Sequence, residues 1–408
     1  MSKRFKGRVG ARSRRCLVVA TSAALVMALS SCGSGGDSEG ASGSGDIRIL
    51  APLGLSGLSA PAAGILQAGA KAAVEEANSK GGVDGRKVVI DFVDTQSDPS
   101  HAVSVLKEKI AKQRPDIVYA GSSSTEVVGM LPALTQEKIP FVTNTVAADV
   151  GIGDANPYSF SSLAGQDLVA DYFVKTFKDK DIDRIGLLYP DVPAGAAAAA
   201  SYNKVLPAAG IKVVDVSYQA AALDMSAQLQ RLKSENVDAV LVWSLGPAGG
   251  YILKSRHKIG MTTPMYGDTS VSNGNIAAVA TPEETEGVQL AVWNINVKTD
   301  ESTYTQGARD LIARLAADKV EFKAPMSLYG LAYDAVLLGL NGMADAKDSS
   351  DAKSWADAMI KQGDPMFPLA ISAGKTGWTA TNRFRQDMGG IHLIPASTPL
   401  VDGHFDVQ

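Results

Sequence analysis

From residue 47 to residue 293, short β-branched runs alternate with longer, Ala-rich amphipathic stretches, in two tandem series. A strand, a helix and a second strand in succession lay the strands parallel, with helices covering both faces of the sheet. The first series predicts strands at 47–52, 87–93, 116–120 and 140–143, with helices at 61–78, 101–112 and 125–137. Pro61 suits the first turn of its helix, and Gly81-Gly82 suit its end. After a short break, a helix at 168–177 opens the second series. Its strands are expected at 184–189, 212–217, 239–243 and 264–266, with helices at 196–209, 226–235 and 249–257, and a further strand is expected at 287–293. Long helices at 306–318, 327–343 and 351–361 follow. The expected fold class is α/β, with two lobes built on parallel sheets.

A different kind of sequence precedes this pattern. Lys3, Arg4, Lys6, Arg8, Arg12, Arg14 and Arg15 come before any acid, and an apolar run spans 16–29. A membrane helix needs about 20 apolar residues, so the run is short for a span. A basic head, a short apolar core and small residues after it make a signal peptide, expected over 1–31. It ends Leu29-Ser30-Ser31-Cys32, which resembles the lipobox of bacterial lipoproteins and implies a lipid on Cys32. Arg14-Arg15 also fits a twin-arginine signal, so the general and twin-arginine export routes both stay open. Residues 32–45 are mostly Gly, Ser, Ala and acids and bury too little apolar surface to fold. As a flexible tether, about 14 residues span roughly 20 Å r.m.s.. The expected location is outside the cell interior, lipid-anchored to the outer face of the cytoplasmic membrane.

Composition narrows the function classes. The two cysteines, Cys16 and Cys32, both precede the folded part, which therefore has neither disulfide nor thiolate metal site. It must rely on core burial, and roughly 360 residues are ample for that. A net charge of −4 favours no nucleic-acid partner. His101, His257, His392 and His404 are scattered, no G-x-S-x-G elbow occurs, and no G-x-G-x-x-G opens a strand–helix unit. Gly374-Lys375-Thr376 has Leu369 where a phosphate loop needs its first glycine. Neither cofactor nor metal is expected, and a binding protein is favoured over an enzyme.

Gly81-Gly82-Val83-Asp84-Gly85-Arg86-Lys87-Val88 leads to Ile90, Asp94, Asp98-Pro99 and Ala102, and later to Gly121-Ser122-Ser123-Ser124-Thr125 after a strand. In this order and spacing the residues resemble the type I periplasmic binding proteins of the branched-chain amino-acid (leucine/isoleucine/valine-binding) family, over about residues 46–377. The resemblance implies two Rossmann-like lobes with parallel sheets, joined by three hinge crossovers near 161–163, 287–290 and 372–377, with the ligand between them. The first lobe would hold 46–162 plus 289–376, and the second 163–288 plus 377–408. Ligand binding would close the lobes.

Ligands of open α/β sheets bind beyond the carboxyl ends of the strands. The serines Ser122, Ser123 and Ser124 lie at such an end, on a helix N-terminus, where free N–H groups and hydroxyls suit a carboxylate. The resemblance implies that Ser122 grips the ligand carboxylate. It places Ala147 where the family has a threonine, with Thr145 as a substitute. In the second lobe, Ala194 and Leu245 stand at positions of family tyrosines. The acid that holds a ligand amine aligns with Thr269, and Asp268 is one residue early. Two missing rings leave room for a ligand other than a plain branched-chain amino acid, such as a bulkier or more apolar organic acid. Tyr189 and Trp243 close their strands and fit either the cleft or the core, and the run 196–200 fits close helix packing. The implied partners are a small-molecule ligand and an ABC permease on a separate chain. The alternative is presentation of ligand to a signalling partner. A monomer is expected.

Overall fold

The computed structural model describes residues 45–407, apart from Asn275, Ala373 and Met388. The expected signal peptide, nearly all of the expected tether and the expected lipid site, Cys32, lie outside the described residues. In chain order the first half gives β1 (Ile47–Leu53), α1 (Ala60–Ser79), β2 (Val88–Asp94), α2 (Pro99–Lys112), β3 (Ile117–Ala120), α3 (Ser124–Gln136), β4 (Phe141–Thr143), α4 (Ala148–Gly151) and β5 (Ser159–Ser161). Next come α5 (Gln166–Lys178), β6 (Arg184–Pro190), α6 (Pro193–Ala208), β7 (Lys212–Tyr218), α7 (Ser226–Ser234), β8 (Ala239–Val242), α8 (Ala248–Lys258), β9 (Met265–Gly267), α9 (Thr269–Ser272) and β10 (Val288–Trp293). The chain ends with α10 (Gln306–Ala317), α11 (Met326–Asp345), α12 (Ala352–Lys361), β11 (Ile391–Pro395), β12 (Leu400–Val401) and β13 (His404–Phe405).

The larger strands form two sheets. The first runs β2-β1-β3-β4-β5 and is parallel throughout. The second runs β7-β6-β8-β9-β10-β11, so its first five strands repeat the same order. The central strands β3 and β8, IVYA and AVLV, are buried at every residue because helices cover both faces. One apolar cluster joins β1, α1 and α11 to α5 and α6. A second lies under α7 and α8, and a third under α2 and α3. Helix α11 is buried almost all round, from Met326 to Met343, because it packs between α1, α12 and β4. At the end of α1, Gly82 takes φ +78° and its N–H reaches the Ala77 carbonyl, closing the helix as its sequence suggests. No described helix is long and apolar enough to cross a membrane.

Three features depart from the sequence reading. The pairing of β10 with β11 is antiparallel, so the second sheet is mixed. Strand β10 pairs in parallel with β9, Val288 opposite Met265, which puts residues 288–293 in the second sheet rather than in the first lobe. The chain therefore returns to the first lobe only after Trp293, where α10 packs on α1. The last crossing also comes late. Trp378 packs against Phe160 with the rings tilted by 58° and 4.9 Å between centroids, and donates to the Ser161 carbonyl, while the Arg385 backbone N–H donates to the Leu163 carbonyl. Residues 377–385 thus run beside β5, and the chain joins the second sheet at Ile391. The physical reason is a charge: Arg385, fully buried, pairs with Asp334 of α11 at 2.7 Å, and that partner belongs to the first lobe.

Candidate functional site

Strand order reverses between β1 and β3 in the first sheet and between β6 and β8 in the second. Crevices outside such reversals are where open α/β sheets bind ligands. A cavity of about 360 Å³ lies there, between the lobes. The first lobe supplies Ser124, Thr125 and Val128 of α3, with Val146 and Ala147 from the loop after β4; the second supplies Pro193, Ala194 and Ala197 of α6. A neighbouring hollow of about 460 Å³ shares Val146 and Ala197 and extends to Gln166.

On the first-lobe side the loop after β3 is held from several directions. Gly121 is needed because a Cβ there would fall 1.8 Å from the Asn144 side-chain oxygen, which accepts from the Tyr119 hydroxyl. Ser123 caps α3, accepting from the Glu126 N–H at 3.5 Å. Ser124 and Thr145 share a hydroxyl–hydroxyl bond of 2.5 Å, and the Ala147 N–H donates to Thr145 at 3.1 Å. Ser122 Oγ accepts from the Gly54 N–H at 2.9 Å and so ties this loop to the one after β1. Ser124, Ala147 and Ala194 thus meet at the cavity, whereas Ser122 and Thr145 brace its wall. The first N–H groups of a helix lack intrahelical acceptors and carry the positive end of its dipole. Here α3 and α6 both begin at the cavity, and Val192 gives α6 no side-chain cap.

The remaining second-lobe residues lie elsewhere. Asp268 is fully buried at the N-cap of α9. Its Oδ2 accepts from the Tyr202 hydroxyl at 2.9 Å and from Gln166 Nε2 at 3.1 Å. Its Oδ1 accepts from the Ser270 N–H at 2.7 Å and from the Ser270 hydroxyl. Burial pushes this carboxyl above its ordinary value, against the bonds from Ser270, Tyr202 and Gln166. Thr269 is buried beside it, and Leu245 is half exposed without lining either hollow. Trp243 belongs to the core, and Tyr189 donates to Asp215 at 3.1 Å. The alanine run divides: Ala198 and Ala199 pack inward while Ala197 faces the cavity.

Sequence reasoning missed Gln166, Tyr202, Val146 and Pro193. Pro193 carries the signal that could have found it, since a proline after a strand marks the start of a helix. It also missed Glu126, buried in the first turn of α3 and accepting from the Thr95 hydroxyl at 2.9 Å. Burial raises its carboxyl, the charges of Asp94 and Asp98 add to this, and the Thr95 and Ser122 hydroxyls oppose it. Among the described residues no group of three or more His, Cys, Asp or Glu is placed to hold a metal.

The family described as "Periplasmic binding protein" matches residues 46–390. A Leu/Ile/Val-binding protein of Rhizobium johnstonii is 28% identical over 351 residues, covering 83% of this chain and 89% of that one. Among solved structures, the branched-chain amino acid transporter substrate-binding protein of Streptococcus pneumoniae, in complex with isoleucine, superposes with a TM-score of 0.65. It is 19% identical and covers 86% of this chain and 99% of its own. A solute-binding protein of an ABC transporter from R. palustris, in complex with benzoate, superposes at 0.66 with 18% identity, covering 88% and 98%. At these identities the structures speak for the fold alone.

Proposed function

The chain belongs to the type I periplasmic binding protein family, in its Leu/Ile/Val-binding group, and from that premise we propose that it captures a small organic acid outside the cytoplasmic membrane and delivers it to an ABC importer. What supports an acid is the convergence of two helix N-termini, α3 from one lobe and α6 from the other, on one cavity with mainly apolar walls. The Ser124 and Thr125 N–H groups and the Ser124 hydroxyl receive the carboxylate. Val128, Val146, Ala147, Pro193, Ala194 and Ala197 take an apolar body.

The same geometry argues against a ligand ammonium. A buried cation needs a paired acceptor to offset its desolvation. Asp268 has both oxygens engaged by residues of its own lobe, and Asp149, at the cavity edge, is exposed, where water and salt screen it. The benzoate and isoleucine carried by the two structural neighbours represent the two alternatives, an acid without an amine and an amino acid.

Leucine and 4-methyl-2-oxopentanoate share a carboxylate and an isobutyl group and differ in the ammonium. Isothermal titration of the mature protein is expected to show the oxo acid binding at least about tenfold more tightly, a difference of ~1.4 kcal/mol. Tighter binding of leucine would overturn the amine-free reading. Within the same proposal, Cys32 holds the protein at the membrane. A Cys32→Ala variant should leave the membrane fraction; one that stays there would refute the anchor.

A further inference from the structure

A second cavity, of about 290 Å³, lies within the first lobe and shares no lining residue with the interlobe hollows. Its floor is apolar: Leu338 of α11, Ala358 and Met359 of α12, then Leu369 and Trp378, each less than a tenth exposed. Its mouth is charged and exposed, with Asp345, Asp364 and Lys375 around it.

The walls are fixed by hydrogen bonds, some of them among the lining residues: Gln362 bonds Thr376, and one Asp345 oxygen accepts the Gly363 N–H at 3.1 Å, leaving the other free to face the mouth. Asn341 clamps Phe367, donating to its carbonyl at 3.0 Å and accepting its N–H at 2.8 Å. The Thr305 hydroxyl holds the Leu369 carbonyl at 2.9 Å, and Asp334 accepts the Ala370 N–H at 2.6 Å. Trp378 is anchored through its indole N–H to the Ser161 carbonyl at 3.3 Å. The cavity is thus preformed, a property that lowers the cost of binding. At about 290 Å³ the hollow has room for a six-membered ring with a short chain. The mouth stays in water, so a head group there need not be desolvated as it would be in the cleft, and two carboxylates against one ammonium favour a cationic head over an anionic one.

We propose that this hollow is a second ligand site, independent of the cleft, for a small amphiphilic amine whose ring rests on Met359, Leu369 and Trp378 and whose ammonium meets Asp345 and Asp364. The probe pair is 2-cyclohexylethylamine and its acidic counterpart 3-cyclohexylpropanoate, titrated calorimetrically into the mature protein. The amine is expected to bind one to one, and at least about tenfold more tightly than the acid. Ala358→Leu, which fills the floor, and the double variant Asp345→Asn with Asp364→Asn, which removes charge at the mouth, should each weaken it about tenfold. Ser124→Ala, in the cleft, should not change it. The double variant keeps side-chain volume, so it remains informative if Ala358→Leu fails to fold. The proposal is overturned by the absence of saturable heat with the amine. It fails equally if the acid binds as tightly, if the double variant has no effect, or if Ser124→Ala abolishes binding.

Discussion

At the scale of single residues, a side chain's identity matters less than what already occupies its polar atoms. Glu126 is a case with a measurable sign. Its carboxyl is raised above the ordinary 4.5 by burial first, then by the charges of Asp94 and Asp98. A group whose pKa is higher in the folded state contributes stability below its unfolded value, and that contribution is lost as pH rises through the folded value. Glu126→Gln has no proton to lose, so its melting temperature should gain on the wild type between pH 4 and pH 7. The expected relative gain is about 1–3 °C. A difference that stays constant with pH would show that ionisation of Glu126 carries no such penalty. Asp268 illustrates what sequence leaves unread. The residue and its strand-end position were legible, but its partners Tyr202 and Gln166 lie 66 and 102 residues away. Only the fold brings a hydroxyl and an amide against that carboxylate, and with them the reason it does not face the cleft. The position of Ser124 beside the cavity, by contrast, was legible, because a helix N-terminus after a strand projects toward the crevice whichever lobe it belongs to.

At the scale of elements, alternating apolar runs revealed the strands and helices but not the sheet each strand would join. Strand β10, VQLAVW, is the example: nothing in its own pattern separates an edge of the first sheet from a neighbour of β9. The short strand β5 was missed because three residues, SFS, are too short a run for their alternation to mark a strand. The last crossing was misplaced because its anchor is a side chain. Arg385 and Asp334 are both fully buried, and Asp334 also accepts the Ala370 and Ile371 N–H groups. Removing one member of such a pair strands the other charge, at a cost of about 3–5 kcal/mol. Arg385→Met should therefore lower the urea midpoint by that equivalent with an unchanged slope. Adding Asp334→Asn, whose amide oxygen still accepts a backbone N–H, should recover at least about 1 kcal/mol. A double variant no more stable than Arg385→Met would mean that the pair is not the cause of the crossing's position.

At the scale of the whole molecule, the question is what closes the cleft. Leu58 follows β1 and is 94% exposed; Leu245 follows β8 and is 51% exposed. These strands flank the reversals of their sheets, one in each lobe, and neither leucine lines the cavity itself. Large side chains left in water at such positions gain by being covered, and the lobe closure that the family resemblance implies would be a motion that covers them. Full burial of a leucine is worth about 1.5–3 kcal/mol, and partial cover about 1 kcal/mol. Leu58→Ser and Leu245→Ser should each weaken ligand binding about fivefold while leaving the ligand-free melting temperature unchanged, because neither side chain supports the open form. The heat-capacity change on binding, negative when apolar surface is buried, should shrink in both variants. Together they should weaken binding by about the product of the single effects if each meets its own surface, and by less if they meet each other. Full affinity in both single variants would mean that the lobes do not close over these residues, and that the cavity alone holds the ligand.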